Sequence, residues 1–600
     1  MEAAVAYPIR RNLVFFVTLL AFLPASFLLL KTGWFYSDTL VTTGIFFILV
    51  MGLDLLYGYA GQLSLGHQGF FAIGAYTVAI LAKQFGASPW IGALVALVVN
   101  LLLALSLGRI LLRLTGLYFM LGTLAFGIMV HAVITVWHPV TGGDAGLGGV
   151  PRPRLGGIPL TSELAYGTLV WVVAFALLWA ALNLARSQVG RALRAIRSDE
   201  VSAAASGIHV TRLKANVFAV SVGYASVAGS LFAAYFGAVH PENFSLSALL
   251  EILLMLFLGG EGTIWGGLLG ACLLRLLPEV SGPLHAYKIL FSGIVFTLIL
   301  FLLPKGLAGG VTKLIARFPT GGRAIPWPAE TPGTVPSPHS LVPEGDGLLL
   351  EVRDVVRTFG GLYAVDRVSF NVARAQIKSL IGPNGAGKTT LLNLISGVYP
   401  SDRGSITFLG QNLGILRSDQ IARLGIRRTF QNVRLFADLN VLENIMVGCD
   451  QVPQGGVRGM IRVALPLRGA IREELELRSK AARWLSVVGL GDRAGDRVDS
   501  LPYGHRKLVE LARAAVAKPT LLLLDETAAG LNAAEKREFK ALIRRLRDSG
   551  VTVLLVEHDM DFVMELSDEV LVVNFGRKIA EGVPSVVQKD EEVLAAYLGV

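Results

Sequence analysis

Apolar residues run in long blocks through the first half of the chain and in short bursts through the second. The blocks at 12–30, 40–58, 90–112, 117–137, 164–184, 215–236 and 286–304 each approach the ~20 apolar residues that carry a helix across a bilayer. Arg10 and Arg11 precede the first block, which reads as a retained span rather than a cleaved signal. A shorter run at 70–82 follows Gly58-Tyr-Ala-Gly-Gln-Leu-Ser-Leu-Gly-His-Gln-Gly69. Backbone of that kind is tolerated at membrane depth only where protein buries it or it lines a cavity. The stretch 247–277 is broken at Gly259-Gly-Glu-Gly262. Arg186, Arg191, Arg194, Arg197, Arg212 and Lys214 place the loop 185–214 in the cytoplasm, and the stretch from Lys305 to Arg317 belongs there too. An even number of crossings must separate the two loops, which predicts that 247–277 is a re-entrant or broken helix pair.

Past residue 318 the pattern changes. Pro319, Pro326, Pro328, Pro332, Pro336, Pro338 and Pro343 make 319–347 an extended tether. From 348 to 600 the pattern is soluble α/β: Leu348–Val352, Ile377–Ile381, Leu521–Leu524 and Val551–Val556 read as strands, and 390–397 and 418–425 as helices. The expected architecture is therefore a polytopic α-helical membrane domain (1–318), a linker (319–347) and an α/β P-loop NTPase domain (348–600). Inside the spans, Asp54 and His131 are ionisable and count as functional candidates. The Ala-rich stretch from Gly190 to Gly207 reads as a short helix that docks on the soluble domain.

Composition agrees with this split. Hydrophobic residues make up 53% and charged residues 16%, and the mean hydropathy is +0.58. The net charge of +10 reflects loop basicity around the spans and not nucleic-acid binding. The two cysteines, Cys272 and Cys449, lie in different halves and exclude a disulfide framework or a Cys-rich metal site.

The chemistry centres on Gly382-Pro383-Asn384-Gly385-Ala386-Gly387-Lys388-Thr389-Thr390. It follows a strand and opens a helix, the setting a phosphate-binding P-loop needs. Its glycines let backbone N–H groups close on phosphate oxygens, Lys388 reaches the terminal phosphates and Thr389 offers a hydroxyl to Mg²⁺. Asp525 emerges from an apolar strand to face the same ion, and Glu526 faces the attacking water. His558 is positioned for the γ-phosphate, and Gln431 for the ion or the water. Phe359 lies upstream of the loop, where it can stack on adenine.

With these residues in place, the soluble half resembles the nucleotide-binding domain of ABC transporters. Phe359 matches the adenine-stacking loop, Gly382–Thr390 Walker A, Gln431 the Q-loop, Asp525 and Glu526 Walker B, Ala529-Gly-Leu-Asn532 the D-loop and His558 the switch histidine. Phe359-Gly-Gly, Arg428-Thr-Phe-Gln-Asn-Val-Arg-Leu-Phe436 and Ala595-Ala-Tyr-Leu-Gly599 resemble an ATPase subunit of branched-chain amino acid importers. The membrane half resembles a permease subunit of the same system through Gly58–Gly66, Gly69–Tyr76, Arg113–Phe119, Thr141–Leu147 and the loop from Gly190. The signature that faces the opposite ATPase's nucleotide departs from Leu-Ser-Gly-Gly-Gln and reads Leu501-Pro502-Tyr503-Gly504-His505. This implies an asymmetric ATPase pair. Asp54 stands where the family more often has Asn.

The resemblance implies ATP-driven import of a small amino acid, with ATP and Mg²⁺ at the site. The implied partners are a second permease, a second ATPase and an external solute-binding protein; a homodimer is the other assembly. It implies a multi-pass protein of a bacterial inner membrane with a cytoplasmic ATPase domain. Urea or short amides are the alternative cargo. An ABC exporter or flippase, or an ATP-gated channel, are the alternative activities. The exporter reading fits less well because the cytoplasmic loops are short.

Overall fold

A computed structural model describes residues 37–280, 290, 293–294, 297–298, 301–317, 347–449, 456–465 and 468–598. The predicted span 12–30, most of 286–304 and the tether 319–346 lie outside the described residues.

The chain forms two compact units. One holds the described residues of Met1–Leu193, Thr211–Pro326 and Pro453–Ile471. Five of its helices are long and apolar enough to cross a membrane: Asp38–Tyr59, Pro89–Leu111, Leu117–Val136, Glu163–Arg186 and Val210–Phe236. Their burial separates them. In the most apolar 18-residue stretch of each, 89% of Asp38–Tyr59 and 83% of Val210–Phe236 is buried, against only 28% of Pro89–Leu111, which exposes Leu94, Leu102 and Ile110. Apolar side chains on such an outer face cost nothing against lipid, so only the inner helices need close packing. Where His67–Phe85 meets Val210–Phe236, the backbones nearly touch. A Cβ on Gly229 would lie 2.2 Å from the Phe71 carbonyl oxygen, so only glycine fits there.

The run predicted at 70–82 is longer than expected. It is a 19-residue helix, His67–Phe85. The polar segment before it is held by protein, as the absence of water at that depth requires. The Leu65 N–H donates to Thr123 Oγ1 at 3.0 Å, and His67 Nε2 shares a 2.8 Å hydrogen bond with Ser221 Oγ. The predicted break in 247–277 is present: helices Leu246–Gly259 and Gly266–Val280 have 14 and 15 residues. At 1.5 Å per residue each is about 21–23 Å long, short of the ~30 Å hydrocarbon core. The backbone turns between them through positive φ at Gly260, Gly262 and Ile264. Asp54 fixes this turn. Its Oδ1 accepts from the Gly262 N–H at 2.6 Å and its Oδ2 from the Ile264 N–H at 2.7 Å. Asp54, a functional candidate in the sequence, thus accepts from two backbone amides that lipid would leave unsatisfied. His131 lies half-buried in Leu117–Val136, and its Nδ1 has no hydrogen-bond partner among the described residues.

The second unit holds the described residues of Arg194–Val210, Trp327–Val452 and Arg472–Val600. Its main sheet runs in the order Ile426–Arg428, Leu521–Asp525, Thr552–Val556, Ile377–Ile381, Glu569–Asn574, Arg577–Gly582. The first five strands are parallel and the last is antiparallel. Leu521–Asp525, Thr552–Val556 and Ile377–Ile381 are buried at every position. Burial on both faces is why they read as unbroken apolar runs. A second, antiparallel sheet pairs Leu348–Phe359 with Leu362–Ala373 and Arg403–Phe408.

The docking helix expected at 190–207 is two helices, Gln188–Ser198 and Glu200–Ala205, split where Asp199 caps the second by accepting from the Ser202 N–H at 2.6 Å. From Arg194 onward this segment packs with the ATPase sequence. Arg194 pairs with Glu443 at 3.2 Å and Asp199 with Arg434 at 2.9 Å, and Arg423 donates to the Gly207 carbonyl at 3.2 Å. Conversely, the helix Val457–Ala464, which is ATPase by sequence, belongs to the first unit, where Asn183 Nδ2 donates to the Ala464 carbonyl at 3.1 Å.

Candidate functional site

Parallel strands place their following loops at one edge, and ligands of open α/β sheets bind there. Register brings four such ends together: Asp525 pairs with Val556, Val556 with Leu380, and Arg428 with Leu523. The loops that leave them carry Gly382–Gly387, Glu526, His558 and Gln431.

The P-loop turns tightly around its own backbone. Gly387, at φ 100°, would drive a Cβ to 2.2 Å from the Ala364 carbonyl, so the position requires glycine. The helix Lys388–Ile395 starts directly after it. Pro383 and Gly387 are half-buried and Ala386 is buried; Asn384 and Gly385 form the exposed tip. Lys388 Nζ donates to the carbonyls of Gly382 and Pro383 at 2.7 and 2.8 Å. Burial pulls its pKa down, while the carboxylates of Glu526 and Asp525 oppose the shift. Thr389 and Thr390 are half-buried on the first turn of that helix, whose free N–H groups and positive end suit phosphate.

Asp525 is buried, and its Oδ2 accepts from Arg428 Nη2 at 2.8 Å. Its Oδ1 is buried with no hydrogen-bond partner among the described residues. Burial raises this carboxyl's pKa against the opposing pull of Arg428. A half-satisfied buried carboxylate suits a divalent cation, so the residues present fit Mg²⁺.

Glu526 sits at φ 47°, a left-handed conformation that costs a non-glycine residue energy and clusters at functional sites. Its N–H donates to the Val556 carbonyl at 2.8 Å, which holds the turn. Its two oxygens are shared: Gln431 Nε2 donates to Oε2 at 2.8 Å, and His558 Nε2 lies 2.7 Å from Oε1. Five of the predicted residues, Lys388, Gln431, Asp525, Glu526 and His558, therefore converge at one sheet edge.

Phe359 ends its strand half-exposed, edge-on to Tyr399 at 5.4 Å and 4.8 Å from the Arg357 guanidinium. In the signature, Leu501 is buried, Pro502 and Tyr503 are exposed, Gly504 is buried and His505 is half-buried. Pro502 caps the helix Tyr503–Ala515. Gly504 lies close to Glu535: a Cβ there would sit 2.5 Å from Glu535 Oε1 and displace that carboxylate. Glu535 in turn completes a capping box with Asn532 of the D-loop, accepting from its N–H at 2.9 Å.

The roles of three residues escaped the sequence reading. Lys507 is buried and donates to the Glu526 carbonyl at 3.0 Å and the Gln431 carbonyl at 3.3 Å. Glu557 accepts from the Ala528 N–H at 2.6 Å, and burial lifts its pKa to about 7. Arg428 supplies the counter-charge to Asp525. Arg428 opens the stretch Arg428–Phe436 that the sequence singled out, but its pairing with Asp525 shows only in the register Arg428–Leu523 and the contact between the two side chains.

Comparison with known proteins identifies the family. The family model described as the permease component of the branched-chain amino acid transport system matches residues 35–303. The ABC transporter model matches 365–529, and that of the branched-chain amino acid ATP-binding cassette transporter matches 577–600. The chain is 43% identical over 252 residues to the high-affinity branched-chain amino acid transport ATP-binding protein LivG of Salmonella typhimurium, covering 42% of this chain and 98% of that protein. It is 32% identical over 293 residues to the permease protein LivM of the same organism, covering 45% of this chain and 69% of the relative. A solved nucleotide-free ATP-binding cassette from an ABC transporter is 29% identical, with 42% of this chain and 100% of that chain covered and a TM-score of 0.37. The chain belongs to the ABC transporters of the branched-chain amino acid transport family, and it carries both a permease component and an ATP-binding component.

Proposed function

We propose that this chain imports a small amino acid, of the leucine, isoleucine and valine class, as a fused permease–ATPase of a binding-protein-dependent transporter in a bacterial inner membrane. Residues 1–318 are the permease, 319–347 the tether and 348–600 the cytoplasmic ATPase. The observation that supports this most is that two separate halves match the permease and the ATP-binding component of one transport system. The cassette is an ATPase coupled to transport. Its partners are a second permease, a second ATPase and an external solute-binding protein.

At the site, Gly382–Thr390 hold the phosphates, and Lys388 exchanges its two loop carbonyls for phosphate oxygens. Thr389, Asp525 and Gln431 would hold Mg²⁺, which supplies charge neutralisation at the β- and γ-phosphates when bound. Glu526 accepts the proton of the attacking water, and His558 and Gln431 keep its carboxylate aimed. Phe359 stacks on the base. Leu501–His505 face the partner's nucleotide. ATP-driven closure passes to the permease through Arg194–Val210.

The test is ATP hydrolysis by the assembled complex with and without an added binding protein. Stimulation by the liganded binding protein supports import. Hydrolysis indifferent to it supports the exporter reading. Titrating that binding protein with leucine, urea and acetamide separates the cargo classes.

A further inference from the structure

Lys507, Glu510 and Arg513 recur at every third position of the helix Tyr503–Ala515, and all three are buried. That spacing keeps them near one face. All three bind the backbone of a single turn. Lys507 Nζ lies 3.3 Å from the Gln431 carbonyl oxygen. Glu510 Oε1 accepts from the N–H groups of both Phe430 and Arg434 at 3.3 Å. Arg513 Nη1 donates to the Arg434 carbonyl at 2.7 Å. Arg513 also lies 3.5 Å from the Glu510 carboxylate and 4.7 Å from the centre of the Phe436 ring. Glu510 Oε2 remains buried with no hydrogen-bond partner among the described residues.

Burying charges is costly, and apolar packing would join a helix to a turn at less expense. What the charges gain is directionality: they fix the turn's backbone at both ends. That turn is the junction of two paths. Gln431 reaches Glu526 at 2.8 Å, and Arg434 reaches Asp199 at 2.9 Å. Lys507 joins the same helix to the Glu526 carbonyl at 3.0 Å, and the signature Leu501–His505 begins that helix.

We propose that Lys507, Glu510 and Arg513 form a clamp that makes the turn 430–434 move as one body with the signature helix. A displacement at Asp199 then reaches Gln431 and the signature together. Glu510 is the central positioning residue, because it accepts from both ends of the turn. This inference rests on the roles proposed above for Gln431 and Glu526.

The test uses the full chain in its assembled complex and MgATP as the probe. Glu510→Met removes both acceptor bonds and lowers kcat at least about tenfold, with KM for ATP changed by less than about threefold. Glu510→Gln keeps an acceptor at the same reach and restores kcat to within about threefold of the parent. If Glu510→Met does not fold, the double variant Glu510→Met/Arg513→Met removes the buried charge pair, and is expected to combine a normal melting temperature with a low kcat. Asp199→Asn lowers kcat as well, and its loss is not multiplied when combined with the Glu510 change. A kcat within about twofold of the parent in the folded variants, no recovery with Gln, or fully multiplicative losses would each overturn the clamp. Glu526→Gln is the control: if it leaves hydrolysis intact, the reading of the site itself falls and not the clamp.

Discussion

Gln431 Nε2 donates to Glu526 Oε2 at 2.8 Å, while the other oxygen of Glu526 lies 2.7 Å from His558 Nε2. The carboxylate proposed to take the proton is thus held on both sides. Glu526→Gln should lower kcat by about 10²–10⁴-fold, the range of a lost general base, with ATP binding retained. Gln431→Ala should cost less, since His558 still orients one oxygen. Steady-state hydrolysis and nucleotide binding, measured on the same preparations, check both.

Arg428 and Asp525 form a buried pair, with side chains 2% and 1% exposed and a 2.8 Å contact. Removing one partner leaves the other charge in low dielectric. Arg428→Met should destabilise the ATPase unit by about 3–5 kcal/mol. Chemical denaturation of the full chain, followed by ATPase-unit tryptophan fluorescence, measures this. A loss below about 1 kcal/mol would show the pair to be dispensable.

Glu557 carries its pH dependence in its surroundings. Its pKa rises from 4.5 to about 7 on folding because burial disfavours the carboxylate. The folded state therefore binds more protons between those values. Stability is greatest below about pH 4.5 on this account and falls as pH rises through about 7, by about 3 kcal/mol in all. Glu557→Gln should flatten that slope, because the amide cannot ionise. Melting temperatures of parent and variant at pH 5 and pH 8 should differ more at the higher pH, with the variant the more stable.

Asp54 accepts from two backbone N–H groups across the break between the short helices. In Asp54→Asn one of those N–H groups meets an amide NH₂ and loses its acceptor, at a cost of about 1–3 kcal/mol. The account expects lower thermal stability of the membrane unit with unchanged apparent affinity for cargo. A change in cargo affinity at constant stability would place Asp54 in the transport path instead.

The signature offers a further check. Pro502 lacks both a hydroxyl and an N–H. If the ATPase pair is asymmetric because of it, Pro502→Ser/His505→Gln should raise the complex's turnover, by up to about twofold if the partner's site is then activated. Unchanged turnover would count against the asymmetry.

The P-loop, Asp525, Glu526 and His558 were legible because each follows an apolar strand and bears a residue type with one obvious use. The buried parallel strands were legible for the same reason, as short unbroken apolar runs. Lys507, Glu510 and Arg513 were not. On an exposed helix the same spacing is ordinary, and only burial makes three charges on one face informative. The role of Asp54 needed the fold too, because its partners are backbone amides more than 200 residues away. The split of the docking segment at Asp199 turned on one cap, which an Ala-rich sequence masks. The exchange of Arg194–Val210 and Pro453–Ile471 between units is likewise invisible to composition, which sees only where each segment lies along the chain.

The central claim is that this chain uses ATP to carry a small amino acid inward. The most direct measurement is uptake of radiolabelled leucine by proteoliposomes that contain the complete complex, with binding protein outside and ATP inside. The account predicts accumulation above the external concentration, abolished by Glu526→Gln. Leucine that only equilibrates, or that accumulates equally with Glu526→Gln, would contradict it.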